Sequence, residues 1–378
     1  MTQSPGFFFS ALSFLLVIGP LIFIHEFGHY IAGRACGVKA DVFSIGFGRE
    51  LFGWTDKRGT RWKVAWLPMG GYVKFAGDMN GASQPSADWL ALPPEERRRT
   101  FQAKAIWQRF IIVLAGPATN FLFAITVFAA IFATWGEPRT PPVVASIVPG
   151  SAAVRAGFEP GDRILAIGGR GIVRFEDIAQ IVTLHPRETL DFRISRHGAE
   201  RDILAVPDAE VLRDNFGNET RAGKLGIAAG PGGEMVRLGP VEVVTESVRY
   251  TFNAVGMMVD TLRQIVVGER STKELGGPLG IARIAGQQAS LGWFDFVLFM
   301  TMISINLGFI NLLPVPMLDG GHLFFYIVEA VRRRPVGARV QEWAFRSGLA
   351  LLLTLMAFVT LNDLASLGLW QRLAGLIG

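Results

Sequence analysis

Followed along the chain, apolar and polar positions alternate between long uncharged runs and stretches patterned at period two. The first run is densely apolar from Phe7 to Ile24, about the shortest helix that crosses a bilayer. It contains Gly19 and Pro20, no Lys or Arg precedes Arg34, and it leads straight into His25, Glu26 and His29. A retained span is therefore expected rather than a cleaved signal peptide. The second run is Phe110 to Gly136, with Gly116, Pro117 and Asn120 inside it. The third, Phe296 to Leu318, carries Asn306 and Asn311 and breaks at Pro314 and Pro316. The fourth begins at Ser347 and is apolar to Leu361, where Asn362 and Asp363 mark its far interface. Four spans place both termini on one side of a membrane.

Between the runs the period changes. Phe43 to Phe75 alternates apolar and polar residues around glycines, which predicts a sheet whose edge dips to the membrane. That edge either pairs with an extended substrate or plugs a site from below. From Val143 the pattern predicts a strand to Val148, a small-residue helix from Ser151 to Ala156 and a strand from Arg163 to Ile167. A helix near Phe175 to Val182 follows, then two alternating strands, Leu190 to Arg196 and Arg201 to Val206, joined at His197-Gly198. Val241 to Val266 has helical spacing, with Glu242, Glu246 and Arg249 off its apolar positions. Such a helix lies on a membrane surface or packs on the preceding domain.

Composition narrows the class. Half of the 378 residues are apolar and 18% are charged, with a mean hydropathy of +0.34. Disorder is excluded, and the net charge of +5 is spread along the chain rather than gathered on one face, so no nucleic-acid partner is expected. The cations instead report orientation, because Lys and Arg in short loops stay cytoplasmic. Twelve lie between Gly33 and Lys104, and Arg332, Arg333, Arg334, Arg339 and Arg346 lie between spans three and four. The tail has only Arg372. Both termini and Glu137 to Asp295 are thus expected outside the cytoplasm.

Candidate chemistry is confined by the single cysteine, Cys36, and five histidines, which leave no Cys-rich metal site. His25-Glu26-Phe27-Gly28-His29 places two imidazoles at i and i+4 on one helix face, able to reach one zinc, with Glu26 one step round to take a proton from the attacking water. On this composition such a pentad arises by chance in roughly three of a thousand chains of this length. Buried as a mere structural pair beside a hydrocarbon span, these ionisable groups are expensive. A catalytic zinc usually has a third protein ligand. Asp319 is the candidate, at the edge of a span broken by two prolines, since irregular backbone at membrane depth survives where it lines a cavity or is buried. A turn Asp before Gly320 and Gly321 is the plainer reading, and His322 is a rival ligand.

With these residues in view the chain resembles the site-2 protease family of intramembrane zinc metalloproteases, and within it the bacterial regulator-of-sigma-E proteases. The resemblance rests on HEFGH (His25 to His29), GPATN (Gly116 to Asn120), NLLPVPMLDGG (Asn311 to Gly321) and one stretch, PGSAAVRAGFEPGDRILAIGG, that looks like a PDZ domain. LPMGGYVKFAGD (Leu67 to Asp78) and LGGPLGIARIAG (Leu275 to Gly286) add to it. The resemblance implies that His25, His29 and Asp319 hold Zn2+ and that Glu26 is the general base. It also implies that Asn311, Pro314 and Pro316 hold an unwound substrate segment. Asn120 either contacts substrate or is a helix-packing amide. Enterobacterial members carry two PDZ domains, whereas this chain has room for one.

The expected fold is an α-helical membrane protein with four transmembrane helices, a membrane-associated β-sheet loop and one inserted α/β PDZ-like domain. The expected divisions are 1–135 (two spans, zinc motif and β-loop), 140–210 (PDZ-like), 211–295 (linker with amphipathic helix) and 296–378 (two spans and the LDG motif). The implied activity is hydrolysis within or near the transmembrane segment of single-span membrane proteins in regulated intramembrane proteolysis. Such substrates include anti-sigma factors trimmed by an upstream site-1 protease and signal-peptide remnants; the lipid bilayer is the other partner. A transporter would show internal repeats, and a non-proteolytic scaffold would leave the HEFGH pentad without a use.

Overall fold

The structure is a computed structural model that describes residues 6–78, 92–213, 219–230, 234–268 and 277–366. Leu275 and Gly276 of the Leu275 to Gly286 motif, and Arg372 of the tail, lie outside the described residues. The chain opens with α1 (Phe7–Ala35), β1 (Ala40–Thr55), β2 (Arg61–Phe75), α2 (Pro94–Arg97) and α3 (Ile106–Trp135). It continues with β3 (Glu137–Arg139), β4 (Val144–Ile147), α4 (Ala152–Ala156), β5 (Arg163–Ile167), β6 (Arg170–Gly171), α5 (Phe175–Leu184), β7 (Leu190–Arg196) and β8 (Ala199–Ala205). Four short strands follow: β9 (Asp208–Arg213), β10 (Glu219–Lys224), β11 (Ile227–Ala229) and β12 (Glu234–Val236). The remainder is helical: α6 (Pro240–Val267), α7 (Pro278–Leu291), α8 (Trp293–Leu312), α9 (Asp319–Arg332) and α10 (Ala338–Ser366). Two compact units divide the chain, Met1–Val127 with Gly276–Asp363, and Phe128–Leu275 with Leu364–Gly378.

Among the described residues, α1, α3, α8 and α10 are long and apolar enough to cross a membrane. At 1.5 Å per residue, the 29 residues of α1 and 30 of α3 make helices of roughly 45 Å, against a hydrocarbon core of about 30 Å. α1 runs unbroken through Pro20 to Ala35, since a proline in a helix removes one hydrogen bond and can be absorbed as a kink. His25 and His29 therefore sit inside the helix rather than past its end. α10 likewise begins at Ala338, ahead of the apolar run, and an i, i+4 pair between Glu342 and Arg346 (2.6 Å) supports its polar start.

Small residues let these helices close on one another. A Cβ at Gly28 would strike the Ala115 carbonyl and the Thr119 hydroxyl, and Thr119 Oγ1 donates to the Ile24 carbonyl at 3.0 Å. In α7, Ala285 is buried with Val17 and Leu21 of α1, and Gly286 lies against Ser10. Asp363, expected with Asn362 to mark the far interface of the fourth span, is buried within the protein. Its carboxylate accepts from the backbone N–H groups of Gly277 (3.1 Å) and Gly280 (2.9 Å), satisfying free donors at the start of α7.

β1 and β2 form a long, bent pair. Ala40–Ile45 aligns with both Gly71–Phe75 and the Arg61–Val64 segment, which also faces Phe52–Thr55, so the Gly71–Phe75 stretch forms one margin. The Asp56 carboxylate ties the connecting turn, accepting from the N–H groups of Arg58 and Thr60 and from Trp62 Nε1.

The second unit is built on a four-stranded sheet in the order β6-β5-β7-β8. Leu190, Phe192 and Ile194 of β7 are buried while Asp191 and Arg193 point outward, the period-two alternation of a half-buried strand. Its core takes in Leu225 and packs Ile227 against it, and β11 pairs with β4. The module thus runs past the expected boundary at 210, because a three-residue strand such as β11 is too short to show a period. In α6, Val243, Ser247, Thr251, Ala254 and Gln264 are buried, and Gln264 Nε2 donates to the Leu184 carbonyl of α5. Val241, Val244, Phe252, Val259 and Val266 of the same helix stay exposed.

Candidate metal centre

α1 supplies the first two groups, one helical turn apart and on one face. His25 Nε2 and His29 Nε2 lie 3.2 Å from each other. The third group arrives through the break after α8. Leu313 to Leu318 folds back on itself, with the Leu318 N–H donating to the Val315 carbonyl and the Gly321 N–H to the Leu318 carbonyl. Met317 takes φ = +84°, a backbone state costly for a non-glycine residue. A Cβ at Gly320 would meet the carbonyls of Leu312 and Leu313, and one at Gly321 would meet that of Val315, so only glycine fits this reversal. The turn sets Asp319 at the first position of α9, where a carboxylate is favoured by the helix dipole. Asp319 Oδ2 stands 3.1 Å from His25 Nε2 and 3.4 Å from His29 Nε2.

Glu26 is buried on the adjoining face, and the Val73 backbone N–H of β2 donates to its carboxylate. Gly71 of the same strand comes so near that a Cβ there would lie 2.9 Å from Glu26 Cγ. The four groups share a cavity of about 340 Å³ with Tyr72, Asn311 and His322 among its lining residues. Pro314 and Pro316 lie in the loop before Asp319 and are not among the lining residues. His322 faces the ring of Phe345, with centroids 5.0 Å apart, and stands outside the cluster of candidate ligands. Asn120, expected at substrate or at a helix contact, is fully buried and its amide nitrogen Nδ2 lies 3.1 Å from His25 Nδ1.

The donor set fits a cation. His29 Nδ1 lies 2.9 Å from the Ile112 carbonyl, which only accepts, so Nδ1 carries the proton and a neutral ring presents a bare lone pair at Nε2. That lone pair faces a carboxylate oxygen and a second imidazole nitrogen, three acceptor atoms all within 4.8 Å of one another. A divalent ion resolves this crowding, and two imidazoles with one carboxylate is a set that suits zinc with a position left open. Three contributions carried no local sequence signal: the Val73 N–H, the Ile112 carbonyl, and the space that Gly116 leaves for the His29 ring, which a Cβ would fill.

Four membrane-length helices among the described residues, together with a cluster of buried His25 and Glu26 and half-buried His29 and Asp319, mark a multi-pass membrane protein of metal-dependent hydrolase type. The profile of peptidase family M50 matches residues 13–355, and the chain belongs to that family. It is 44% identical over 356 residues to a protein of Rhizobium meliloti (strain 1021) named "Putative zinc metalloprotease R01501", covering 93% of this chain and 95% of that one. A similarly named protein of Agrobacterium fabrum (strain C58) is 42% identical over 358 residues, covering 94% and 95%. Metalloprotease MmpA of Caulobacter vibrioides is 38% identical over 395 residues, covering 98% and 99%.

Proposed function

We propose that this chain is an intramembrane zinc metalloprotease that hydrolyses a peptide bond within or near the transmembrane segment of single-span membrane proteins. The observation that carries the reading is the convergence of His25 Nε2, His29 Nε2 and Asp319 Oδ2 beside Glu26 in one cavity. His25, His29 and Asp319 would hold zinc, which when bound polarises the scissile carbonyl and makes water a better nucleophile. Glu26, fixed by the Val73 N–H, takes the proton of the attacking water and returns it to the leaving amine. A helical substrate has its carbonyls tied up in i to i−4 bonds, so the segment must be extended before attack. The Gly71–Phe75 margin of the β pair supplies main-chain groups for such a strand, and Asn311, with the loop shaped by Pro314 and Pro316, holds its far side.

The distribution of Lys and Arg supports a topology with both termini and residues 137–295 outside the cytoplasm and the candidate site toward the cytoplasmic side, and the bacterial relatives favour the inner membrane as its location. The module from Val144 to Ala229 is read as PDZ-like: among the described residues β11 pairs only with β4, which leaves its other edge for a peptide strand. Its role is to screen substrates, including those already trimmed by a site-1 protease in regulated intramembrane proteolysis. The test is to co-express wild-type and Glu26→Gln chains with a panel of single-span proteins. Glu26→Gln is expected to keep zinc and fold and to lose about 10²- to 10⁴-fold in cleavage rate. Near wild-type cleavage would reject Glu26 as the base.

A further inference from the structure

Ile112, Gly116 and Asn120 follow one another at four-residue intervals on α3, a single stripe of that helix. Each meets the histidine pair of α1 differently. The Ile112 carbonyl accepts from His29 Nδ1, Gly116 leaves the volume that the His29 ring occupies, and the Asn120 amide nitrogen Nδ2 stands 3.1 Å from His25 Nδ1. Asn120 has no exposed surface, and its own backbone carbonyl accepts from Ser304 Oγ of α8 at 3.0 Å, which anchors the residue from behind.

We propose that Asn120 is a positioning residue for metal binding, whose amide oxygen accepts the Nδ1 proton of His25 and so turns the Nε2 lone pair toward His29 and Asp319. The inference rests on the reading of His25, His29 and Asp319 as zinc ligands. A neutral imidazole has one N–H and one lone pair, and whichever nitrogen donates to a neighbour leaves the other free to bind metal. For His29 that neighbour is a backbone carbonyl, which fixes the tautomer. For His25 it is a side-chain amide, whose nitrogen and oxygen exchange places by a half turn. With Nε2 as ligand only the oxygen end matches Nδ1–H. While Nδ2 faces the ring, Asn120 Oδ1 is buried without a hydrogen-bond partner among the described residues, so a half turn of the amide breaks no bond of Oδ1 and brings that oxygen to Nδ1–H. α3 thereby orients both histidines from a single stripe, one through main chain and one through Asn120.

The test uses the full-length protein in detergent. Zinc dissociation constants are measured by chelator competition for wild type, His25→Ala, Asn120→Leu and Asn120→Asp, with thermal unfolding in excess chelator as the check on folding. Asn120→Leu, close in volume but without an acceptor, is expected to bind zinc 10- to 100-fold more weakly, the usual cost of losing such a partner. Asn120→Asp keeps an acceptor on Nδ1–H and is expected to bind zinc as tightly as wild type or tighter. A mere packing amide predicts the reverse order, with the apolar Leu tolerated and the buried charge of Asp disruptive; that order, or equal affinity for all three, overturns the proposal. If Asn120→Leu does not fold, Asn120→Asp decides: retained zinc supports the assignment, and zinc lost from a folded or unfolded protein overturns it. Loss of zinc in His25→Ala but not in Asn120→Leu leaves the ligand reading standing and removes only this one. A wild-type protein that binds no zinc removes both.

Discussion

Asp319 stands at the first position of α9, where its carboxylate meets two imidazole nitrogens across a long gap in sequence. His322, one turn further on, lines the same cavity but packs its ring against Phe345. The two residues should therefore separate cleanly on substitution. Asp319→Asn removes the charged oxygen ligand and is expected to lose most bound zinc and all measurable cleavage. His322→Asn is expected to retain the larger part of both. Metal analysis of the purified proteins and a cleavage assay check this, and loss of zinc in His322→Asn alone would move the third ligand to that histidine.

The elements that place these groups are secured by polar contacts at their ends. α7 is held at its start by the Asp363 carboxylate, and the turn into α9 depends on Gly348 of α10 leaving room for the Pro316 carbonyl. In the second unit the start of β5 is joined to the end of β7 by Asp162 and Arg196, with Arg196 Nε 2.7 Å and Nη2 2.8 Å from the carboxylate oxygens. Burial pushes the Asp162 carboxyl up, but its hydrogen bonds from Arg196 and from the Glu159 N–H outweigh this and hold it below the usual aspartate value. A depressed carboxyl stabilises the fold above its unfolded value of about 3.9, and that contribution is lost as pH falls through the lower folded value. Arg196→Ala is thus expected to melt at lower temperature than wild type at pH 7. The gap should narrow as pH drops below about 4, as followed by thermal unfolding at pH 7, 5 and 3. A gap independent of pH would show that the pair is not the source.

Division of the chain into two units has a consequence for selection. Every candidate ligand, the base and Asn311 belong to Met1–Val127 with Gly276–Asp363. The module from Val144 to Ala229 has its own core and its own sheet. Replacing Val143 to Ala229 by a short Gly-Ser linker is expected to leave zinc content unchanged. Cleavage should extend to single-span proteins with bulky outer regions that the intact protein rejects. Fragment patterns from the two forms check this. A deleted form that folds and binds zinc yet cuts nothing would show that the module does more than screen.

The four apolar runs, the i, i+4 histidines and the proline-broken segment before Asp319 were legible in the chain because each is a local pattern. Length and hydropathy decide a membrane helix, helical spacing puts His25 and His29 on one face, and paired prolines interrupt a helix wherever it is packed. Alternation likewise marked β7 and β8. What holds the histidines was not legible. The Ile112 carbonyl and the Val73 N–H are main-chain groups, the first offered by every residue type and the second by every type but proline, so no side chain advertises them. Gly116 reads as a helix-packing glycine until the His29 ring is seen to fill the place of its Cβ. Asn120 and Asp363 are single polar residues in apolar runs, and such residues take their meaning from whatever donor or acceptor lies opposite. That partner is chosen when α1, α3, α7, α8 and α10 pack, through contacts such as that of Ser10 with Gly286, far apart in the chain, and pairing at that range leaves no period for a sequence to show.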